Sequence, residues 1–160
     1  WQLTVGGRLG VGKGLTLNAQ AVHFGWSKFD RIEIAAPISN AIVQNYKNTW
    51  SVAVGADQAL GERLTVRAGV QVDPTPTRDS SRDPRVPDGD RVDYNIGATY
   101  KMSGRLSLDA AAALTDLENS PISRDETFYA GTPARTDVLT DGRAHGQRVL
   151  VFALGGRFSF

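Results

Sequence analysis

Hydrophobic and polar positions alternate with a period of two over most of this chain. One parity of the run from Leu15 holds Leu15, Leu17 and Ala19, and the other holds Thr16, Asn18 and Gln20. The pattern returns with Leu64, Val66, Ala68, Val70 and Val72 against Thr65, Arg67, Gln71 and Asp73. It returns again with Val92, Tyr94, Ile96, Ala98 and Tyr100 against Arg91, Asp93, Asn95, Thr99 and Lys101. Leu106, Leu108 and Ala110 face Ser107 and Asp109, and Leu150, Phe152, Leu154, Phe158 and Phe160 face Arg157 and Ser159. Successive side chains of a strand point to opposite faces, so each run predicts a strand with one apolar and one wet face. Residues 27–37 fit less simply, because Ile32 and Ile34 fall on the even parity whereas Leu15–Ala21 is odd. A bulge near Gly25 would flip the faces. The other reading places this stretch above the bilayer, where parity is not enforced.

The strands recur as a unit. Gly55–Gly69 overlays Gly97–Ala111, and a weaker copy starts at Gly6 and runs to Ala19. Each copy is a strand end, a short glycine-containing turn and a new strand of the form Leu-Thr/Ser-Leu/Val-x-Ala, which is a hairpin signal. The repeat of roughly 45 residues has the length of a propeller blade, but the unit holds two strands, not four. Predicted connections alternate short and long: Gly12–Gly14, 36–48, 60–63, 74–90, 102–105 and 116–146. Soluble sandwiches have no reason to sort loops this way, whereas outer-membrane barrels have tight periplasmic turns and long external loops. The expected fold is therefore all-β, an antiparallel transmembrane barrel segment of about seven strands, in which residues 1–160 form one domain. The ending Arg157-Phe158-Ser159-Phe160 resembles the terminal signal read by the outer-membrane assembly machinery, making Phe160 a candidate contact for it.

Composition narrows the chemistry. The net charge of +1 argues against a nucleic-acid partner, which calls for a clustered basic excess. The absence of cysteine removes disulfides and thiolate metal sites. His23 and His145 have no metal-ligand spacing, and His23 sits on the apolar parity near the rim, where it would snorkel. No nucleophile elbow appears. Gly10-Val11-Gly12-Lys13-Gly14 is a strand-to-strand turn with no helix to hold phosphate. No catalytic residue, metal or cofactor is expected.

Residues 45–110 resemble the FadL/TodX family of outer-membrane transporters. The resemblance rests on Asn45-Tyr46-Lys47-Asn48-Thr49-Trp50, Gly55-Ala56, Leu64–Gly69, Asp73-Pro74-Thr75-Pro76-Thr77, Arg85–Arg91 and Gly97–Tyr100, with Gly25–Phe29 also fitting. It implies a 14-stranded barrel plugged by an N-terminal hatch, of which this chain would be the C-terminal half, with the hatch and first strands absent. It also implies a passive channel for hydrophobic small molecules, long-chain fatty acids or aromatic hydrocarbons. Ligand would be captured at an external groove, passed through the lumen and released sideways into membrane lipid. Lumen-facing candidates on the wet parity are Arg8, Arg67, Asp73, Asp93, Lys101, Asp109 and Arg157, with Asp57 on the same face. Basic members could grip a carboxylate; the alternative is a charge network that rigidifies the lumen. Loop candidates are Asp88, Asp90 and Arg91, in a loop stiffened by Pro74, Pro76, Pro84 and Pro87, and Phe128 and Tyr129. The best-studied member of the family this chain resembles has a lumenal lysine a few residues before the Asn-Tyr-Lys motif; here the stretch reads Ala41-Ile42-Val43-Gln44, which leaves room for an uncharged hydrophobe. A structural or adhesive barrel without transport is the other class of function.

Overall fold

The computed structural model describes residues 1–34 and 40–160. Its main body is one antiparallel sheet of seven strands. In order across the sheet these are β1 (Gln2–Gly12), β2 (Leu15–Phe24), β5 (Thr49–Leu60), β6 (Leu64–Asp73), β7 (Arg91–Lys101), β8 (Leu106–Leu117) and β11 (Arg148–Phe158). Two separate hairpins interrupt the order: β3 (Arg31–Ile34) with β4 (Asn40–Val43), and β9 (Ser120–Phe128) with β10 (Thr136–Ala144). Strands of 10 to 12 residues suit a bilayer crossed at about 45°.

Register places the alternation on two continuous faces. Leu9, Leu17, Ala56, Ala68, Ile96, Ala112 and Phe152 form one row across all seven strands. The neighbouring row on that face is Ala19, Val54, Val70, Tyr94, Leu114 and Leu150. These side chains are open to the outside: Val54 is 58% exposed, Ile96 64%, Phe152 73%. Among the described residues, the only buried hydrophobics are Val22 and Ile122, while Thr49, Ser51, Thr75, Thr77, Arg82 and Ser120 are buried polar residues. That inverts the soluble-protein rule that apolar groups go inside, and it is the distribution of a sheet whose solvent is lipid on one side. Among the described residues no helix is long and apolar enough to cross a membrane.

The three short connections lie at one end of the sheet and the three long ones at the other. In the tightest, Gly14 adopts φ +76°, and a Cβ there would come within 2.9 Å of the Ala59 Cβ, so only glycine fits. At the long-loop end of the apolar face, His23 stacks on Trp1 with ring centroids 4.6 Å apart and meets the edge of Trp50 at 4.8 Å. Tyr100 and Phe158 mark the short-turn end. Both are the aromatic borders expected where a barrel wall meets headgroups.

The long connections carry structure of their own: 116–146 contains the β9–β10 hairpin, and β4 lies within 36–48 while its partner β3 precedes that stretch. Ahead of that hairpin β2 ends at Phe24, Gly25 opens a 3-10 turn over Trp26–Lys28, and among the described residues β3 pairs only with β4. The parity change at Ile32 therefore comes from leaving the sheet, not from a bulge; residues 35–39 of that run lie outside the described residues. A further difference lies at the last two sheet strands. Ala111 and Ala113 of β8 and Val151 and Ala153 of β11 sit on the polar parity, so the wet face becomes apolar there.

Candidate functional site

The polar face carries a ladder of charges at mid-sheet. Asp57 accepts a hydrogen bond from Asn18 at 2.8 Å and pairs with Arg67 at 3.0 Å and Arg8 at 3.5 Å. Arg67 also donates to the Thr99 hydroxyl at 2.7 Å, which in turn donates to Asp109 at 2.5 Å. This chain of partners crosses from β1 to β8, binding six strands through side chains as well as backbone. Asp93 is separate and accepts from Thr115. Lys101 and Arg157 lie apart from the ladder, near the short turns, on strand positions opposite Ser107.

At the long-loop end the polar groups converge more tightly. Asp73 pairs with Arg91 and accepts from Ser51. Arg91 reaches Asp88 at 3.4 Å, and Asp88 accepts from the Thr75 hydroxyl. Asp90 accepts the Thr75 N–H at 2.8 Å, and its carbonyl accepts the Glu118 N–H at 2.7 Å. Arg82, whose side chain is only 4% exposed, donates to Asp79 at 2.7 Å, to the Asp88 carbonyl at 2.7 Å and to the Pro121 carbonyl. The loop 74–90 is thus tied down on both sides, to the sheet through Asp88–Arg91 and to β9 through Arg82. Asp88, Asp90 and Arg91, expected in the loop, act as its anchors, and Arg91 is the first residue of β7. Phe128 and Tyr129 stand at the tip of the β9–β10 hairpin, 46% and 70% exposed.

Between these ties lies a cavity of about 830 Å³ lined by all three long connections. One wall is apolar and aromatic: Phe29, Ile32, Val43 and Tyr46. Phe29 and Tyr46 are 6.0 Å apart by ring centroid, and Trp26 supports Tyr46 edge-on from behind at 6.3 Å. The facing wall carries Asp83, Arg85, Arg124, Gln147 and Arg148. Asp83 takes Arg85 at 2.5 Å and Arg124 at 3.1 Å. The hydrogen bond from Arg85 holds the Asp83 carboxyl well below the usual carboxylate range against the opposing effect of burial, and Arg124 adds to it. Asp83 in turn raises the Arg85 guanidinium. The volume is that of a small-molecule pocket, apolar with a few placed polar groups.

None of the expected site residues except Asp88 lines this cavity. Arg82, Asp83, Arg124 and Gln147 were not foreseen. They are ordinary polar residues in polar loops, and nothing in their spacing marks them. Tyr46 lies in a distinctive motif, which was a usable signal. Among the described residues no group of three or more acidic or histidine side chains is placed to hold a metal ion.

A sheet with one lipid-type face, one polar face, tight turns at one end and a structured rim at the other is a segment of a transmembrane β-barrel wall. The whole chain, residues 1–160, matches the family model described as outer membrane protein transport protein (OMPP1/FadL/TodX). The crystal structure of a Pseudomonas aeruginosa FadL homologue superimposes with a TM-score of 0.86 at 32% identity, covering 98% of this chain and 35% of that one. Outer membrane protein P1 of Haemophilus influenzae is 44% identical over 68 residues, covering 42% of this chain and 15% of that protein. The 47 kDa outer membrane protein of Pasteurella multocida is 29% identical over 91 residues, covering 55% and 21%. The chain thus spans a fraction of the length of the relatives it matches. It belongs to the FadL/TodX family of outer-membrane transport proteins, and its place is the Gram-negative outer membrane.

Proposed function

We propose that this chain forms wall and rim of a passive channel that takes up hydrophobic small molecules, fatty acids or aromatic hydrocarbons, across the outer membrane. The observation that carries this reading is the rim cavity: an aromatic wall and a charged wall, built jointly by three loops at the outer end of the polar face. An apolar solute gains roughly 25 cal/mol for each Å² it removes from water, so a preformed aromatic wall concentrates it at the mouth. Asp88, Asp90 and Arg91 hold the loop that shapes the mouth. Arg8, Arg67, Asp73, Asp93, Lys101, Asp109 and Arg157 line the polar passage below it. No step of this function requires bond chemistry, so the chain acts as a conduit and not as an enzyme. The wall faces outer-membrane lipid, and Phe160 serves recognition by the assembly machinery.

Uptake of radiolabelled toluene and oleate tests the reading in cells that carry the full-length gene, lack it, or carry Tyr46→Ala with Phe29→Ala. Expression is matched by heat-modifiable gel mobility. The double variant is expected to lose most uptake at low solute concentration. Equal uptake in all three strains would sink the channel. The exposed Phe128 and Tyr129 at the tip of the β9–β10 hairpin favour a second role in contacting partners outside the cell, and binding of cells to host surfaces with Tyr129→Ser would reveal it.

A further inference from the structure

Every charge on the cavity wall already has an opposite charge within the protein. Arg85 is held by Asp83 at 2.5 Å, Arg124 by Asp83 at 3.1 Å and by Glu126 at 2.5 Å, and Arg148 by Asp116 at 3.1 Å. Asp88 is engaged by Arg91 and Thr75. A carboxylate entering this cavity would have to displace an internal carboxylate or sit beside Asp83 and Asp88 while losing its own hydration, and an unpaired charge there is costly. Asp83 remains ionised throughout the physiological range, held so by Arg85, so this bar does not relax near neutral pH. A neutral ligand meets no such cost.

One polar atom is left over. Among the described residues Gln147 Oε1 is occluded and has no hydrogen-bond partner, although Gln147 lines the cavity and its backbone carbonyl is fixed by the Leu117 N–H at 3.1 Å. An unsatisfied buried acceptor is a standing cost. A half-turn about the amide's last, two-fold torsion exchanges its oxygen and nitrogen, and in the exchanged position the oxygen would accept from a donor on a ligand. Phe29 and Tyr46 offer a ring surface in the same cavity.

We infer that the rim cavity selects neutral hydrophobic molecules whose polar end donates a hydrogen bond, alkylphenols and comparable alcohols, over the corresponding carboxylates, with Gln147 accepting that bond. This rests on the cavity being where the channel captures its ligand. The test uses the full-length protein in lipid nanodiscs at pH 7.5, titrated calorimetrically with 4-propylphenol, propylbenzene and 4-propylbenzoate after subtraction of empty-disc partitioning. The phenol stays neutral at that pH, as a phenolic group titrates near about 10. It is expected to bind roughly 2- to 10-fold more tightly than propylbenzene, the range one added neutral hydrogen bond provides, with the benzoate weakest. Gln147→Leu should bring the phenol down to the propylbenzene level and leave propylbenzene within about twofold, since that ligand uses only the apolar wall. Asp83→Asn, which frees Arg85 and leaves Arg124 to Glu126, should raise benzoate binding. Native circular dichroism and gel mobility confirm that each variant is folded. A natural protein that prefers the benzoate, or a Gln147→Leu variant that keeps the phenol preference, overturns the inference and leaves the channel intact. Failure of all three probes to bind saturably, with uptake indifferent to Tyr46→Ala, overturns the capture site itself.

Discussion

Replacing Arg82 by Met keeps most of the side chain's length and its packing stem but removes the guanidinium that ties loop 74–90 to β9. Two carbonyls, Asp88 and Pro121, lose their donor. The Asp79 carboxylate, 65% exposed, returns to water, so its ion pair with Arg82 adds little to the balance. Leaving a buried acceptor unsatisfied costs about 1–2 kcal/mol in each case, or about 2–4 kcal/mol together. The sheet does not share this loss, because its strands remain paired on both sides of the loop. The energy therefore appears as local opening, raised roughly 30- to 900-fold. Amide hydrogen exchange on the full-length protein reads it directly. The N–H groups of Lys47, Thr75 and Glu118 report, since their acceptors, the Pro76 carbonyl, the Asp90 carboxylate and the Asp90 carbonyl, belong to the loop or its end. They should exchange faster by that factor, while mid-sheet amides of β6 and β7 stay protected. Unchanged exchange at those three sites, or equal acceleration in the sheet, would refute the tie.

Four other outcomes follow from the same structure. Ile96→Arg, on the lipid-type face at mid-strand, should cost about 2–4 kcal/mol of folding into vesicles by urea titration, whereas Trp50→Arg at the border should cost at most about 1; equal costs would deny the face its lipid. Gly14→Ala forces a side chain into a left-handed turn and against Ala59, and should cost at least about 1–2 kcal/mol, lowering the temperature at which gel mobility shifts. Asp83, with its pKa lowered, contributes stability that is present above the ordinary carboxylate range and lost only as pH falls through its lowered value; its carboxyl carbon shift should stay flat from pH 7 to about pH 3, and a midpoint near about 4 would contradict the Arg85 contact. Asp57→Asn removes the shared partner of Arg8 and Arg67; both arginines are substantially exposed, so barrel stability should move by less than about 1 kcal/mol while single-channel conductance for cations falls, and unchanged conductance would place Asp57 off the ion path.

The wall of this protein was legible because the bilayer enforces a binary rule at every second residue. A misplaced Arg on the row of Val54, Val70 and Tyr94 would pay a penalty independent of its neighbours, so the alternation survives in the sequence and gives strands, faces and seven-fold count together. Above the bilayer the rule lapses. Ile32 could change parity and Ser120–Ala144 could build a second hairpin without leaving a periodic signature longer than the loop that contains it. The apolar stretch of the polar face at Ala111, Ala113 and Val151 shows a related limit: small residues satisfy either face, so their parity states nothing.

The site was less legible because its specificity comes from pairing, and pairing is set by distance in space. Asp57, Asp73 and Asp88 all read alike in sequence, yet Asp57 joins four strands at mid-sheet, Asp73 pairs with Arg91 between β6 and β7, and Asp88 lines the cavity. The same holds with greater consequence for the arginines. Counted along the chain, Arg85, Arg124 and Arg148 suggest an anion site at the mouth. Counted with their partners Asp83, Glu126 and Asp116, they leave no net charge to attract one. What such a wall retains is orientation: fixed dipoles around an apolar cavity, able to select by hydrogen bond where a bare cation would select by charge. The missing base before the Asn45-Tyr46-Lys47 motif and the neutralised rim are two independent features of this chain, one read from sequence and one from structure, and both support the proposal that the rim cavity selects against carboxylates.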